Sequence, residues 1–281
     1  MSKYKPLIIS NKKKTILEVL VDLLKNKNLI LQLTIKDLKS SFAQSILGAS
    51  YFVISPLLQS VVLTFFVEIV IKKGELNWNS FYFFLVSMTI WNFFFNIVSK
   101  SSALFMVNRK YLVKLYFNRL ALFVSAANVC LLTFFINLVI VIIFGYLIWF
   151  LYDFNFSFNL KFLFIVPLLI LLIFFSSGLG LIMASLSIRY RDIIYGIAYI
   201  LQLIFFMTPA VVTLEEFSGG LKTFFLINPI TGALEVFRWI FIDGYNANFE
   251  FLLFNVISAI SIIFLGLWLF NISDKKLADL I

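Results

Sequence analysis

The 281 residues carry 62% hydrophobic side chains against 13% charged ones, with a mean hydropathy of +1.02; too little polar surface remains to cover a water-soluble domain, so a bilayer is the solvent. The basic surplus, 23 Lys and Arg against 14 Asp and Glu for a net charge of +9, fits loops that face anionic lipid and gives no reason to expect nucleic acid as a partner. His is absent, which excludes imidazole metal sites and imidazole acid–base catalysis, and Cys130, the single thiol, cannot staple a fold.

Residues 1–45 are Lys-rich and lack the compact apolar core of a cleavable leader, so they read as a cytoplasmic amino-terminal segment. Within it Leu31, Ile35, Leu38, Phe42 and Ile46 recur at helical steps, while Gln32, Lys36, Lys39 and Gln44 fall mainly elsewhere around the helix. This predicts an amphipathic helix lying on the membrane surface, as an anchor or as the frame of an entrance for a lipid-linked substrate. Six apolar runs long enough to cross a hydrocarbon core then follow, near 46–71, 81–99, 120–151, 160–187, 193–213 and 249–271. Residues 46–271 are therefore one transmembrane domain, with 272–281 as a tail.

The first span carries Tyr51, Ser55 and Gln59 at four-residue steps, and the second Asn92, Asn96 and Ser99 beside Trp91 and Phe95. Glu68, near the outer end of the first span, is expected to reach the interface and takes no proton-relay role. The 100–119 loop interleaves Asn108, Arg109, Lys110, Tyr111, Lys114, Tyr116, Asn118 and Arg119 with Leu104, Phe105, Leu112 and Leu115. It reads as a short helix that meets a partner, or as a basic anchor on anionic lipid. Ser176, Gly180 and Ala184 give the fourth span a small-residue packing face. The fifth carries Tyr195, Tyr199, Gln202 and Phe206, running towards Pro209. Uncharged hydroxyl, amide and aromatic stripes suit a passage for sugars; interhelical hydrogen bonding is the rival explanation. Residues 221–242 are apolar on average but contain Lys222, Asn228-Pro229, Glu235 and Arg238. Two half-helices that enter and leave from one side are expected there in place of a crossing.

Loop charge sets the orientation. With six spans, eighteen of the 23 basic residues fall on one side: 9 in the first 45 residues, 5 in the 100–119 loop, then Arg189, Arg191, Lys275 and Lys276. Both termini are expected in the cytoplasm, whereas a seventh span would put Lys275 and Lys276 outside. No Gly is followed by Lys, so the phosphate-binding loop G-x-x-x-x-G-K-[ST] is missing and any ATP is expected on another chain.

Several motifs, in order, resemble one family. They are Asp37-Leu38-Lys39, Ser45, Leu47-Gly48, Pro56-Leu57-Leu58, Trp91-Asn92-Phe93-Phe94, Asn108 with Leu112-Val113-Lys114 and Tyr116-Phe117, and Gly178-Leu179-Gly180-Leu181. Arg189-Tyr190-Arg191-Asp192, Gln202, Thr208-Pro209, Asn228-Pro229 and Glu235 with Phe237-Arg238-Trp239 follow. Over about residues 35–271 the chain is similar to the permease subunits of polysaccharide ABC exporters, the ABC-2 type family. The resemblance implies an all-α integral membrane protein with six transmembrane helices, an amino-terminal interfacial helix and a re-entrant outer helix pair. It implies two permease copies and two copies of a separate ABC ATPase, with ATP and Mg on that ATPase and no cofactor on this chain. The cargo implied is a lipid-linked polysaccharide, with O-antigen ahead of capsule or teichoic acid, carried across the cytoplasmic (inner) membrane.

The same resemblance makes 100–119 a coupling loop, through Asn108, Arg109, Lys110, Tyr111 and Lys114, and 215–245 an outer gate, through Asn228, Pro229, Glu235 and Arg238. The stripes Tyr51, Ser55 and Gln59, Trp91, Asn92 and Asn96, and Tyr195, Tyr199, Gln202 and Phe206 would line the pore. Two positions depart from the pattern: Ser41 stands where a basic residue is usual, and Asn118 where Pro is usual. No catalytic residue is expected. The alternatives are a membrane-embedded enzyme acting on lipid-linked sugars, for which only 235–243 offers converging charged groups, and a proton-coupled flippase, which the shortage of intramembrane carboxylates disfavours.

Overall fold

A computed structural model of the chain describes residues 16–42, 48–72, 74–114, 117–152, 160–250 and 252–280, and those residues contain helices and no strand. Gln44, Ser45, Ile46, Leu47, Leu115 and Tyr116 lie outside the described residues. Two helices, α1 (Ile16–Lys25) and α2 (Lys27–Phe42), precede the first long one, α3 (Tyr51–Thr64), which continues as a π-helical stretch, Phe65–Ile71. Then come α4 (Trp78–Ser102), the short α5 (Leu104–Val107) and α6 (Arg109–Lys114), α7 (Leu120–Tyr152), and α8 (Ile165–Arg189), which a 3₁₀ turn over Leu160–Phe164 precedes. The chain ends with α9 (Asp192–Phe206), α10 (Gly219–Ile227), α11 (Pro229–Phe241) and α12 (Leu252–Leu280).

Five helical stretches are long and apolar enough to cross a membrane: Tyr51–Ile71, Trp78–Ser102, Leu120–Tyr152, Leu160–Arg189 and Leu252–Ser273. The expected span 193–213 is shorter than predicted. Only Asp192–Phe206 is helical, about 22 Å at 1.5 Å per residue against a hydrocarbon core of roughly 30 Å. Pro209 lacks an N–H and disfavours helix at Thr208, so the helix stops at Phe206. The 221–242 region breaks where expected, with α10 and α11 meeting at 91°. Asn228 makes the corner: its side chain accepts a hydrogen bond from Ile230 N at 3.1 Å and Pro229 opens the next helix.

Contacts sort the helix ends into two groups. At one end α2 lies on the start of α7, Gly180 of α8 faces Ser101 of α4, and Phe105 stacks on Phe270 of α12. This end carries Lys36, Lys100, Arg109, Lys110, Arg119, Arg189 and Arg191, and is the basic end. At the other end Trp78 stacks on Tyr152, and Phe162 and Phe164 of the 3₁₀ turn meet Phe241 and Trp239 of α11. Because α8 ends at the basic end and α12 must start at the opposite one, α9 and the bend after it carry the chain back across.

The interior is aromatic, with Phe94 stacked on Phe175 and Phe134 between Phe93 and Phe237. Ser176, Gly180 and Ala184 are buried, as the small-residue face predicts. A closer crossing sits beside them, where a Cβ on Gly178 would lie 2.6 Å from the Ile262 carbonyl carbon and one on Gly266 would lie 2.5 Å from the Gly178 oxygen. There α8 and α12 touch backbone to backbone.

Candidate functional site

The loop at the basic end is built around Asn108. Leu104 and Phe105 are buried and anchor α5, and Asn108, itself 4% exposed, turns the chain into α6. Its amide donates to the Leu104 carbonyl at 3.0 Å, and its own carbonyl accepts from Tyr111 N and Leu112 N. Its side-chain oxygen accepts from Lys36 Nζ of α2 at 2.8 Å. Asn108 therefore faces inward, while Met106, Val107, Arg109, Lys110 and Tyr111 are exposed. The result is an apolar and basic tip on a buried polar corner. Lys114 closes α6, and its side chain lies outside the described residues. Asn118 has a local task, since its side chain accepts from Leu120 N at 3.1 Å at the start of α7. Ser41 likewise bonds within its helix, donating to the Asp37 carbonyl.

Helix α2 turns Lys36 and Asp37 towards the rest of the chain, while Lys27 and Lys39 are exposed. Leu31 and Ile35 of the predicted apolar stripe are exposed, whereas Leu33 and Thr34 are buried against the rest of the chain. Lys36 bonds Asp37 at 3.0 Å, and Asp37 accepts from Ser125 of α7 at 2.7 Å. The exposed side of α2 is therefore mixed, with Gln32, Lys39, Ser40 and Ser41 beside Leu31 and Ile35.

The three stripes fare differently. Asn92 donates to Gln59 at 2.8 Å, which joins the first stripe to the second across α3 and α4. Tyr51 and Gln59 are exposed, and Ser55, Asn92 and Asn96 are half-buried. Trp91 is buried against Phe205 and Phe94, with ring centroids 5.1 and 5.5 Å away, and so belongs to the α4–α9 packing. Tyr195, Tyr199, Gln202 and Phe206 stand outward on α9, with Tyr199 72% exposed, while Ile197 and Leu201 seal its other face.

The residues expected at an outer gate form a buried knot. Arg238 has no exposed surface; its Nε and Nη2 donate to Ser87 Oγ of α4, and Nη2 also donates to the carbonyls of Pro209 and Ala210 at 2.8 and 2.9 Å. The guanidinium lies 3.9 Å from the Phe83 ring centroid and 3.5 Å from Glu235. Glu235 accepts from the Tyr245 hydroxyl at 2.6 Å and from Asn248 N. Burial raises the Tyr245 phenol above its ordinary range, so it stays a donor. A second tie, Asn228 to Thr208 Oγ1 at 3.1 Å, joins the same segments.

Ser87 lies about 13 Å along α4 from Trp78, at membrane depth. There the non-helical carbonyls after α9 need protein donors, and Arg238 supplies them. A cavity of about 410 Å³ opens beside the knot, lined in part by Glu215, Lys222, Glu235, Asn248 and Glu250. Sequence spacing placed Lys36 on the polar side of its helix but did not reveal its pairing with Asn108, nor the roles of Asp37 and Ser125, or of Ser87, Thr208 and Tyr245. Each partner lies on another element, where periodicity carries no signal.

A family model described as ABC-2 type transporter matches residues 32–242. Two curated relatives, both O-antigen export system permease protein RfbA of Klebsiella pneumoniae, are each 23% identical over 255 residues, covering 90% of this chain and 95% of their own.

Proposed function

The chain belongs to the ABC-2 type transporter family, and on that premise we propose that it is the membrane permease of an ATP-driven exporter of a lipid-linked polysaccharide, O-antigen first. The observation that carries this reading is the 104–114 loop. Its exposed Met106, Val107, Arg109 and Lys110 project at the basic end from a corner fixed by buried Asn108, which suits docking to an ATPase that binds ATP and Mg. Loop charge supports cytoplasmic termini and an inner-membrane location, since with six spans eighteen of the 23 basic residues in the sequence fall on one side. The names of the relatives support the cargo.

The outward aromatic and amide stripe of α9 suits a pore completed by a second copy, because rings stack on the C–H faces of sugars and amides bond their hydroxyls. Two permeases with two ATPases would then alternate between states, nucleotide binding shifting the population by its differential affinity. Arg238 and Asn228 hold α11 to the end of α9, so the outer helix pair and the pore stripe would move together as one gate. The loop tests the reading. Arg109→Glu with Lys110→Glu should lower polymer export and transport-linked ATP hydrolysis together, while the permease still reaches the membrane. Unchanged export would leave the loop as a lipid anchor.

A further inference from the structure

Lys36 of α2 is half-buried, and its ammonium turns towards the loop between α4 and α7. Its ammonium lies 2.8 Å from the Asn108 side-chain oxygen, 3.0 Å from Asp37 and 4.4 Å from the centroid of the Tyr111 ring. These contacts come from three sides: the corner between α5 and α6, its own helix, and the first turn of α6. Asp37 passes the tie on to Ser125 of α7 at 2.7 Å. Asn108 is held by both flanking helices, so a force applied to the exposed tip at Met106, Val107, Arg109 and Lys110 reaches Asn108 first and Lys36 next. A lysine needed only for solubility would point to water, and one needed only for anchoring would reach a phosphate.

We propose that Lys36 is the positioning residue that ties the loop to the interfacial helix, so that loop movement carries α2 with it. This rests on the exporter reading, in which the loop is the ATPase contact and α2 borders the path of the lipid-linked cargo. Lys36 touches neither nucleotide nor cargo; it acts through Asn108.

The test uses the purified permease–ATPase complex in proteoliposomes and reads polymer moved per ATP hydrolysed, for equal amounts of intact complex. Lys36→Met and Asn108→Leu should each lower that ratio about tenfold, the scale of one charge-assisted hydrogen bond. The double variant should lose clearly less than the product of the two single losses, since both remove the shared Lys36–Asn108 bond. Lys36→Arg, which keeps a donor in reach of Asn108, should retain most of the ratio. If Lys36→Met reduced only the yield of complex and left polymer per ATP unchanged, or if the two losses multiplied, the proposal would be overturned. A wild-type complex that moved no polymer with ATP would instead remove the exporter reading, and the proposal with it.

Discussion

Gly178 and Gly180 sit two residues apart and face different neighbours. A methyl on Gly178 would meet the backbone of Ile262, at 2.6 Å from its carbonyl carbon and 2.7 Å from its oxygen, and backbone cannot step aside. A methyl on Gly180 would meet the Ser101 hydroxyl at 2.7 Å, and a side-chain end can rotate. Gly178→Ala should therefore cost about 1–3 kcal/mol by overpacking, and Gly180→Ala less. Thermal unfolding of the detergent-purified chain measures this, and equal midpoints for wild type and Gly178→Ala would mean that α8 and α12 can part. The Ser176, Gly180 and Ala184 face was visible as a repeat of small residues. The Gly178–Gly266 crossing was not, because each glycine acquires meaning only from the other helix. Glu68 shows the same limit. It was expected to reach the interface; it is buried in the π-helical stretch, accepting from Ser80 and from Lys72, and the exposed Lys72 does the reaching.

Two helices define how the elements act. Periodicity located α2 and its apolar stripe, but could not show that Lys36 and Asp37 turn into the protein, since a polar face looks the same whether it meets water or α7. It also located α9 and overestimated its length, because Arg238 satisfies carbonyls after the helix that an average hydropathy cannot distinguish from a continuing span. The outward stripe of α9 carries the prediction at this scale. A ring stacked on a passing sugar is worth about 1 kcal/mol, roughly fivefold in rate. Tyr199→Ala with Phe206→Ala should slow polymer export in proportion while the complex assembles normally. Ala at Ile200, outside the stripe, should change little. Normal export by the double variant would make the stripe a lipid or packing surface, and a loss of assembled complex would make it an interface between helices.

At the scale of the whole molecule, two opposed ends do different work. The basic end gathers α2, the loop tip and the ends of α8 and α12; the other gathers the bent α10–α11 pair, held at membrane depth by the Arg238 knot. The class and the break at Asn228-Pro229 were legible, because hydropathy and proline act locally. The knot was not, since Arg238 and Ser87 are 151 residues apart. The cavity beside the knot keeps the enzyme alternative in view, but Glu235 is already engaged by Tyr245, Asn248 and Arg238, which makes it a structural carboxylate. Inside-out membrane vesicles carrying this chain and its ATPase, supplied with lipid-linked polysaccharide on the outer side, test the central claim. The account predicts that the polymer becomes protected from an added glycosidase only when ATP is present, with its length unchanged. Protection driven by a proton gradient without ATP, or polymer that lengthens without being enclosed, would contradict it.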